Sequence, residues 1–198
     1  MSYTREQIEG AVKAKGYAWF DDASNKGFDV NIVGIRNSAT GQVVTNAFDD
    51  TLTISYKENG EWKFHSWPAT TDPGKKGVLE YHNAAGVARL VEGQYRGSHS
   101  IGLHQGKYEA LKQAKNVKVY RDANKDLTYN EDKIQEGVFG INIHKAGVDS
   151  TYVENWSEGC QVFKKSADFD AFMIICNKSK NIHGNSFTYT LIESSDIK

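Results

Sequence analysis

Apolar and polar residues alternate along much of the chain, which predicts a fold made mainly of β-strands. The clearest alternation covers residues 50–57, where every second side chain from Leu52 to Tyr56 is apolar. Asn59 and Gly60 follow, and this dipeptide is typical of a two-residue type I′ turn, so a hairpin is predicted here. The same reasoning predicts further strands over residues 29–36, 86–95, 117–121, 138–144 and 186–193.

Three segments carry the apolar period of helices. Thr4 and Gln7 form a capping box at the start of the first, and the second covers residues 107–115. The third begins after Ser166 and has Cys176 on its buried face. The balance predicts a mainly β fold with peripheral helices, of the α+β class. With 198 residues, of which 39% are hydrophobic, the chain is large enough for a single domain with a substantial core.

Charge and hydropathy narrow the classes of partner. The formal net charge of −1 and the pI of about 6.6 give no excess of cations for neutralising phosphates, so no nucleic acid is expected as a partner. No apolar run reaches the roughly 20 residues that span a bilayer, so no membrane insertion is expected. Residues 1–8 lack the apolar stretch of a secretory signal, which predicts synthesis in the cytoplasm. The pattern gives no indication of the oligomeric state.

A histidine and a cysteine near residue 150 form the strongest candidate site. An apolar-alternating run ends on His144, and Cys160 follows after one loop, directly behind Gly159. The thiolate is the nucleophilic form of cysteine, and a neighbouring imidazole accepts the thiol proton and stabilises the resulting ion pair. We therefore expect Cys160 to be the nucleophile and His144 the base, with Cys160 alkylated well below about pH 8. The amides of Gly159 and Cys160 are predicted to form an oxyanion hole.

Three further residues are candidates for binding substrate. Ser157 either donates a hydrogen bond to the substrate or caps the turn before Cys160. His104 is either a pocket residue near the catalytic pair or a loop histidine outside the site. Arg96 has the fork of donors that binds carboxylates, although an exposed arginine without a specific role also fits its sequence context.

The chain gives little reason to expect a metal or a cofactor. Residues 122–126 resemble the start of a calcium loop, but Leu127 stands where glycine is needed and Lys133 where a bidentate glutamate is needed. A polar hairpin loop is the preferred interpretation, with a looser cation site as the alternative. His99 and His104 lack a spacing that suits one face of a helix or strand, so a zinc hydrolase requires ligands from distant segments. We predict no cofactor and no metal.

The arrangement of His144, Ser157, Gly159 and Cys160 resembles the catalytic signature of the L,D-transpeptidases, cysteine enzymes that act on peptidoglycan stem peptides. The resemblance implies a cysteine nucleophile, a histidine base and peptidoglycan as the partner. It also implies a fold that is mostly a β sandwich, with the cysteine near the end of a strand.

The resemblance is specific over residues 138–162 and loose over residues 86–162. It implies a single L,D-transpeptidase-like domain over residues 1–198, in which residues 1–85 are a poorly matched N-terminal part. The whole chain is also similar to small cell-wall-active proteins carried by phages and bacteria, in segments such as residues 30–36.

Two positions depart from the common pattern of the family. Glu158 stands where the family usually has a second histidine, and Gln161 and Lys164 follow Cys160 where an arginine is usual. In the family these residues help to receive the acyl donor or acceptor. Hydrolysis of the acyl-enzyme is therefore a natural alternative to cross-linking.

The residues and the resemblance together predict cysteine-dependent acyl transfer or hydrolysis on peptidoglycan stem peptides. The activity would be that of an L,D-transpeptidase, an L,D-carboxypeptidase or an endopeptidase. Without a secretory signal, such a protein reaches the wall through host lysis, a phage particle or a dedicated secretion machine. The alternative is a non-catalytic cell-wall-binding or phage structural protein that retains the fold.

Overall fold

The computed structural model describes residues 3–40, 42–130 and 132–198. Strands dominate this part of the chain, so the predicted mainly β fold with peripheral helices is confirmed. No helix within it has the length and apolar character that crossing a bilayer requires. The helices are α1 (Arg5–Ala14), α2 (Lys75–Glu80) and α3 (Ser166–His183). The strands are β1 (Asn31–Arg36), β2 (Asp50–Glu58), β3 (Glu61–Thr70), β4 (Val87–Leu90), β5 (Gly93–His104), β6 (Tyr108–Gln113), β7 (Val117–Asp122), β8 (Ile134–Gly137), β9 (Ile143–Lys145), β10 (Gln161–Phe163) and β11 (Phe187–Glu193).

The larger sheet closes into an eight-stranded barrel. The strand order is β1, β11, β5, β6, β9, β10, β3 and β2, with β1 parallel to β11 and antiparallel to β2. Strands β4, β7 and β8 form a separate three-stranded sheet. This architecture differs from the β sandwich that the resemblance implied, because closure gives every strand of the larger sheet a neighbour on both sides. Residues 1–85, which the resemblance matches poorly, supply β1, β2 and β3 to the barrel.

Two apolar clusters fix helices on the barrel. In the main core, Phe169 and Phe172 of α3 pack with Phe163 of β10, and the ring centroids of Phe163 and Phe172 lie 5.1 Å apart. Ile8 and Val12 of α1 pack in a second cluster with apolar side chains of β1 and β11. Alternate residues of β1 therefore face the main core and α1.

A buried ion-pair network fixes β4 beside the loop that carries Cys160. Arg36, at the end of β1, is 1% exposed, and its Nε lies 2.8 Å from a carboxylate oxygen of Asp72. Arg89 of β4 donates from its own Nε to the same oxygen at 2.8 Å. Because a buried charge is tolerated only when it is paired, these contacts hold β4 to the end of the barrel.

Several local predictions are confirmed. Asn59 and Gly60 have φ values of 54° and 79°, as a type I′ turn requires, and β2 pairs with β3 across them. The capping box of Thr4 and Gln7 is present at the start of α1. Helix α3 begins where predicted, with Cys176 buried. At each of these places the apolar pattern agrees with the local turn or cap chemistry.

Two predictions in the second half of the chain are wrong. The helix expected over residues 107–115 is strand β6, because Gln105 and Gly106 adopt φ values of 50° and 72° and form a turn that pairs β6 with β5. Of the strand expected over residues 138–144, only the end belongs to β9. Gly140, with a φ of 77°, interrupts the extended conformation there.

Candidate functional site

Parallel pairing of β9 with β10 places Cys160 and His144 on the same face of the barrel wall. The register joins Ile143 to Gln161 and His144 to Val162, and Cys160 directly precedes β10. Because side chains alternate along a strand, His144 and Cys160 face away from the core in which Ile143 is buried. The fold therefore brings the predicted nucleophile and base to one surface.

Cys160 and His144 line one cavity of about 650 Å³. A cavity of this size accommodates a peptide segment or a similar ligand. It combines charged groups of both signs with aromatic rings, and the half-exposed ring of Trp156 lies on its rim. The other lining residues include His104, Lys107, Tyr108, Lys145 and Glu158.

A backbone carbonyl orients the imidazole of His144. Its Nδ1 lies 2.9 Å from the carbonyl oxygen of Lys145, and since a carbonyl only accepts, Nδ1 carries the proton. Nε2 is therefore the unprotonated nitrogen. His144 is 5% exposed, and this burial lowers its pKa to about 4, with the Lys145 carbonyl acting in the opposite direction. At neutral pH, His144 is a neutral base.

A second histidine packs on the first. The ring of His104, at the end of β5, stacks on that of His144 with centroids 4.3 Å apart and an interplanar angle of 20°. The side-chain amide of Asn142 lies 3.4 Å from His104 Nδ1 and donates to it, so the His104 proton is on Nε2. Burial and the charges of Lys112 and Lys107 lower the pKa of His104. The structure thus places His104 in the cavity, against the predicted base.

The Cys160 thiol contacts backbone groups rather than an imidazole. Its Sγ donates to the carbonyl of Gly140 at 3.3 Å and accepts from the amide of Asn142 at 3.4 Å. Within the described residues, neither cavity histidine hydrogen-bonds this sulfur. Burial raises the pKa of Cys160 to about 11, and the charge of Glu158 raises it further, while the Asn142 amide lowers it. The resting pair is a neutral thiol and a neutral imidazole, not the ion pair expected from the sequence.

Alkylation of the free protein is expected to follow this raised thiol pKa. With iodoacetamide, the rate at Cys160 should keep rising with pH towards about 11, because only the thiolate reacts. Peptide mapping by mass spectrometry distinguishes Cys160 from Cys176. A denatured sample is the control, since unfolded cysteines titrate near about 8.5. A rate that levels off below about pH 8 would contradict the neutral resting pair.

Ser157 and Gly159 shape the turn before Cys160. The Ser157 hydroxyl is buried, donates to the Cys160 carbonyl at 2.8 Å and accepts from the Gly159 amide at 3.2 Å. The hydroxyl therefore caps the turn, which was one of its two expected roles. Because the Gly159 amide is bonded to Ser157, the amide of Cys160 is the remaining donor of the expected oxyanion hole.

Glycine at position 159 is required by a close backbone approach. Gly159 has a φ of 123°, and a Cβ built there would lie 2.4 Å from the carbonyl oxygen of Ala88 in β4. No other residue fits this conformation and this space. The turn that carries Cys160 is thereby packed directly on the smaller sheet.

Arg96 lies apart from the cavity of Cys160. It belongs to β5, like His104, but lies roughly 26 Å further along the strand at about 3.3 Å per residue. Its exposed guanidinium packs over the ring of Phe20 at 5.2 Å and lines a different cavity of about 320 Å³, together with Lys115. The structure therefore does not bring Arg96 to the predicted nucleophile.

The described residues contain no group of three or more His, Cys, Asp or Glu side chains arranged to hold a metal ion. In the loop that resembles the start of a calcium site, Asp126 accepts hydrogen bonds from the amide and the hydroxyl of Thr128. These contacts are those of a polar turn. His99 is buried in the barrel with its Nε2 2.9 Å from the Ile141 carbonyl, and it does not line the cavity of Cys160.

Several groups in the site could not be identified from the sequence. The thiol contacts the backbone of Gly140 and Asn142, and the His144 ring contacts the backbone of Lys145. Backbone groups have no residue signature, and only the closeness of these residues to His144 in the sequence pointed to them. Tyr108 was placed on a predicted helix, where its position in the cavity was not evident.

A scan against protein-family models finds no match for this chain, and searches of curated proteins and of solved structures also find none. The similarity to the L,D-transpeptidases therefore rests on the residues around His144 and Cys160. The chemistry of the cavity is the basis for assigning a function.

Proposed function

We propose that this chain is a cysteine enzyme that transfers or hydrolyses acyl groups of peptidoglycan stem peptides through an L,D-transpeptidase-like domain. The observation that carries the proposal is the orientation of His144. Its Nδ1 donates to the Lys145 carbonyl, so its unprotonated Nε2 is available in the cavity that Cys160 also lines. A thiol and a free imidazole acceptor in one cavity are the two groups that cysteine acyl transfer requires.

The proposed reaction begins when the Cys160 side chain turns from the Gly140 carbonyl towards His144. The thiol proton passes to Nε2 while Sγ attacks the carbonyl carbon of the substrate amide, and the Cys160 amide donates to the developing oxyanion. The imidazolium gives this proton to the leaving amine as the C–N bond breaks, which leaves a thioester. An amine or water then loses a proton to His144 and attacks the thioester, and the proton returns to the departing sulfur.

Proton transfer accompanies the attack in this scheme. Burial raises the pKa of Cys160 to about 11 and lowers that of His144 to about 4, so transfer in the empty site is unfavourable. A bound substrate has to bring the two groups together. The charges around the cavity support a stem peptide as that substrate, since Lys107 and Glu158 face its carboxylate and amino groups.

The acid limb of activity is expected near pH 4 rather than near the ordinary imidazole value. The His144 imidazole loses its proton as the pH rises through about 4, so the base is available above this value. The profile of kcat/KM between about pH 3 and 8 with a soluble muropeptide reports this free-enzyme group. Circular dichroism at each pH controls for unfolding. An acid limb near about 6.5 would contradict a buried, neutral His144 as the base.

Purified peptidoglycan tests the proposal directly. After incubation with the protein, mass spectrometry of the muropeptides should show products that are absent from a sample without protein. Hydrolysis yields shortened stems that have gained water, whereas exchange yields stems that have gained the added amine. Failure to form new products from walls of several stem compositions would remove the enzymatic proposal.

A non-catalytic cell-wall-binding or phage structural role is the second candidate. One observation favours it, namely that the Cys160 thiol donates to Gly140 and not to an imidazole. Such a protein would sediment with insoluble peptidoglycan without changing its muropeptides, and Cys160→Ala would sediment equally well. Either role places the protein at the wall after release or delivery.

A further inference from the structure

The segment that joins β8 to β9, residues 138–142, lacks a strand partner. Its backbone groups nevertheless need hydrogen bonds, because most of it packs against the barrel. The side chain of Gln113, at the end of β6, supplies them. Its Oε1 accepts from the amides of Phe139 and Ile141 at 3.0 and 2.8 Å.

The same carboxamide also binds the chain on either side of this segment. Gln113 Nε2 donates to the carbonyls of Lys115 and Gly137 at 2.8 and 2.9 Å. Both donors and both acceptor sites of the side chain are thus used, and the residue is 9% exposed. The backbone amide of Gln113 adds a fifth contact, to the Asn142 side chain at 2.9 Å.

The two groups that contact the Cys160 sulfur belong to this segment. They are the carbonyl of Gly140 and the amide of Asn142, at 3.3 and 3.4 Å. Gly140 lies between the two residues whose amides Gln113 accepts, and Asn142 is held directly. No other side chain among the described residues makes as many contacts to this segment.

We infer that Gln113 is a positioning residue for the nucleophile, because it holds the 138–142 segment so that Gly140 and Asn142 enclose the Cys160 sulfur. It touches neither the sulfur nor the cavity. Loss of the carboxamide releases the segment, opens the thiol to water and removes the arrangement from which it attacks. The inference rests on the proposed function only for its effect on catalysis.

Two variants test it. Gln113→Met keeps the length of the side chain and removes all four carboxamide hydrogen bonds, whereas Gln113→Glu keeps the two acceptor contacts and loses donors. We expect Gln113→Met to raise the rate of Cys160 alkylation at about pH 8 by tenfold or more and to lower muropeptide turnover by a similar factor. Gln113→Glu should show a smaller change in the same two directions.

Matched controls separate positioning from general loss of stability. Gln94 also uses its carboxamide on buried backbone, since it bonds the amide and carbonyl of Ala18 and the hydroxyl of Thr190 at 2.9, 2.8 and 3.1 Å. Gln94→Met should therefore destabilise the fold without changing the alkylation of Cys160. Cys176 is fully buried in α3, and its protection in each variant reports that the fold is intact.

The outcomes are distinct. Faster alkylation of Cys160 with Cys176 protected supports the inference, even where no muropeptide is processed by any variant, which would reject the proposed function alone. Unchanged alkylation in Gln113→Met with Cys176 protected overturns it. If Gln113→Met also exposes Cys176, Gln113→Glu decides, and equal alkylation of Gln113→Glu and wild type overturns the inference.

Discussion

Replacing Cys160 with alanine is expected to lower muropeptide processing by about 10³-fold or more, because no other side chain in the cavity replaces the nucleophile. His144→Gln should cause a loss of the same order, since nucleophile and base act as one unit and their effects do not add. Both losses are measured as initial rates of product formation by liquid chromatography and mass spectrometry. The fold should persist in both variants, because neither residue belongs to the main core.

Cys176→Ala is the matched control for the loss of a thiol. Cys176 lies in α3, fully buried in the main core, and does not line the cavity. The expected outcome is a less stable protein that processes muropeptides at the wild-type rate while it is folded. Activity that survives Cys160→Ala, or that disappears only in Cys176→Ala, would contradict the assignment of Cys160.

Gly159→Ala is expected to destabilise the fold by at least about 3 kcal/mol and to eliminate activity. The added Cβ would lie 2.4 Å from the Ala88 carbonyl oxygen, and a φ of 123° is unfavourable for alanine. The strand that carries Ala88 cannot yield, because Arg89 beside it is paired with Asp72. Urea unfolding followed by tryptophan fluorescence measures the change in the free energy of unfolding.

Gly106→Ala is the control for this substitution. Gly106 also has a positive φ, of 72°, but a Cβ there meets nothing within 4 Å. Its cost should therefore be only the conformational term, about 1 kcal/mol. Equal destabilisation by Gly159→Ala and Gly106→Ala would show that the contact with Ala88 is not what requires glycine.

Local elements of this fold were readable where two independent signals coincided. The hairpin at Asn59 and Gly60 combines alternating apolar residues with the turn that joins them, and α1 combines an apolar stripe with a capping box. The pairing of β1 with β11 was not readable, because it joins strands from opposite parts of the chain. Barrel closure depends on such pairing, so the sequence supported a β fold without giving its architecture.

The candidate site was readable in its residue types but not in its electrostatics. The order of His144 and Cys160 in the chain indicated that they meet, and they line one cavity. Their protonation could not be inferred, since it depends on burial and on the backbone groups of Gly140 and Lys145. Arg96 was grouped with them by chemistry alone, and the length of β5 separates them.

Capture of the acyl-enzyme tests the central claim most directly, namely that Cys160 forms a thioester with a stem peptide. Wild-type protein is mixed with a soluble muropeptide, quenched in acid, and measured by intact mass spectrometry and peptide mapping. We predict that a fraction of the protein gains the mass of the acyl fragment on the peptide that contains Cys160, that hydroxylamine removes it, and that Cys160→Ala never acquires it. Muropeptide turnover by Cys160→Ala at the wild-type rate, with no adduct on Cys160 in either protein, would contradict the account.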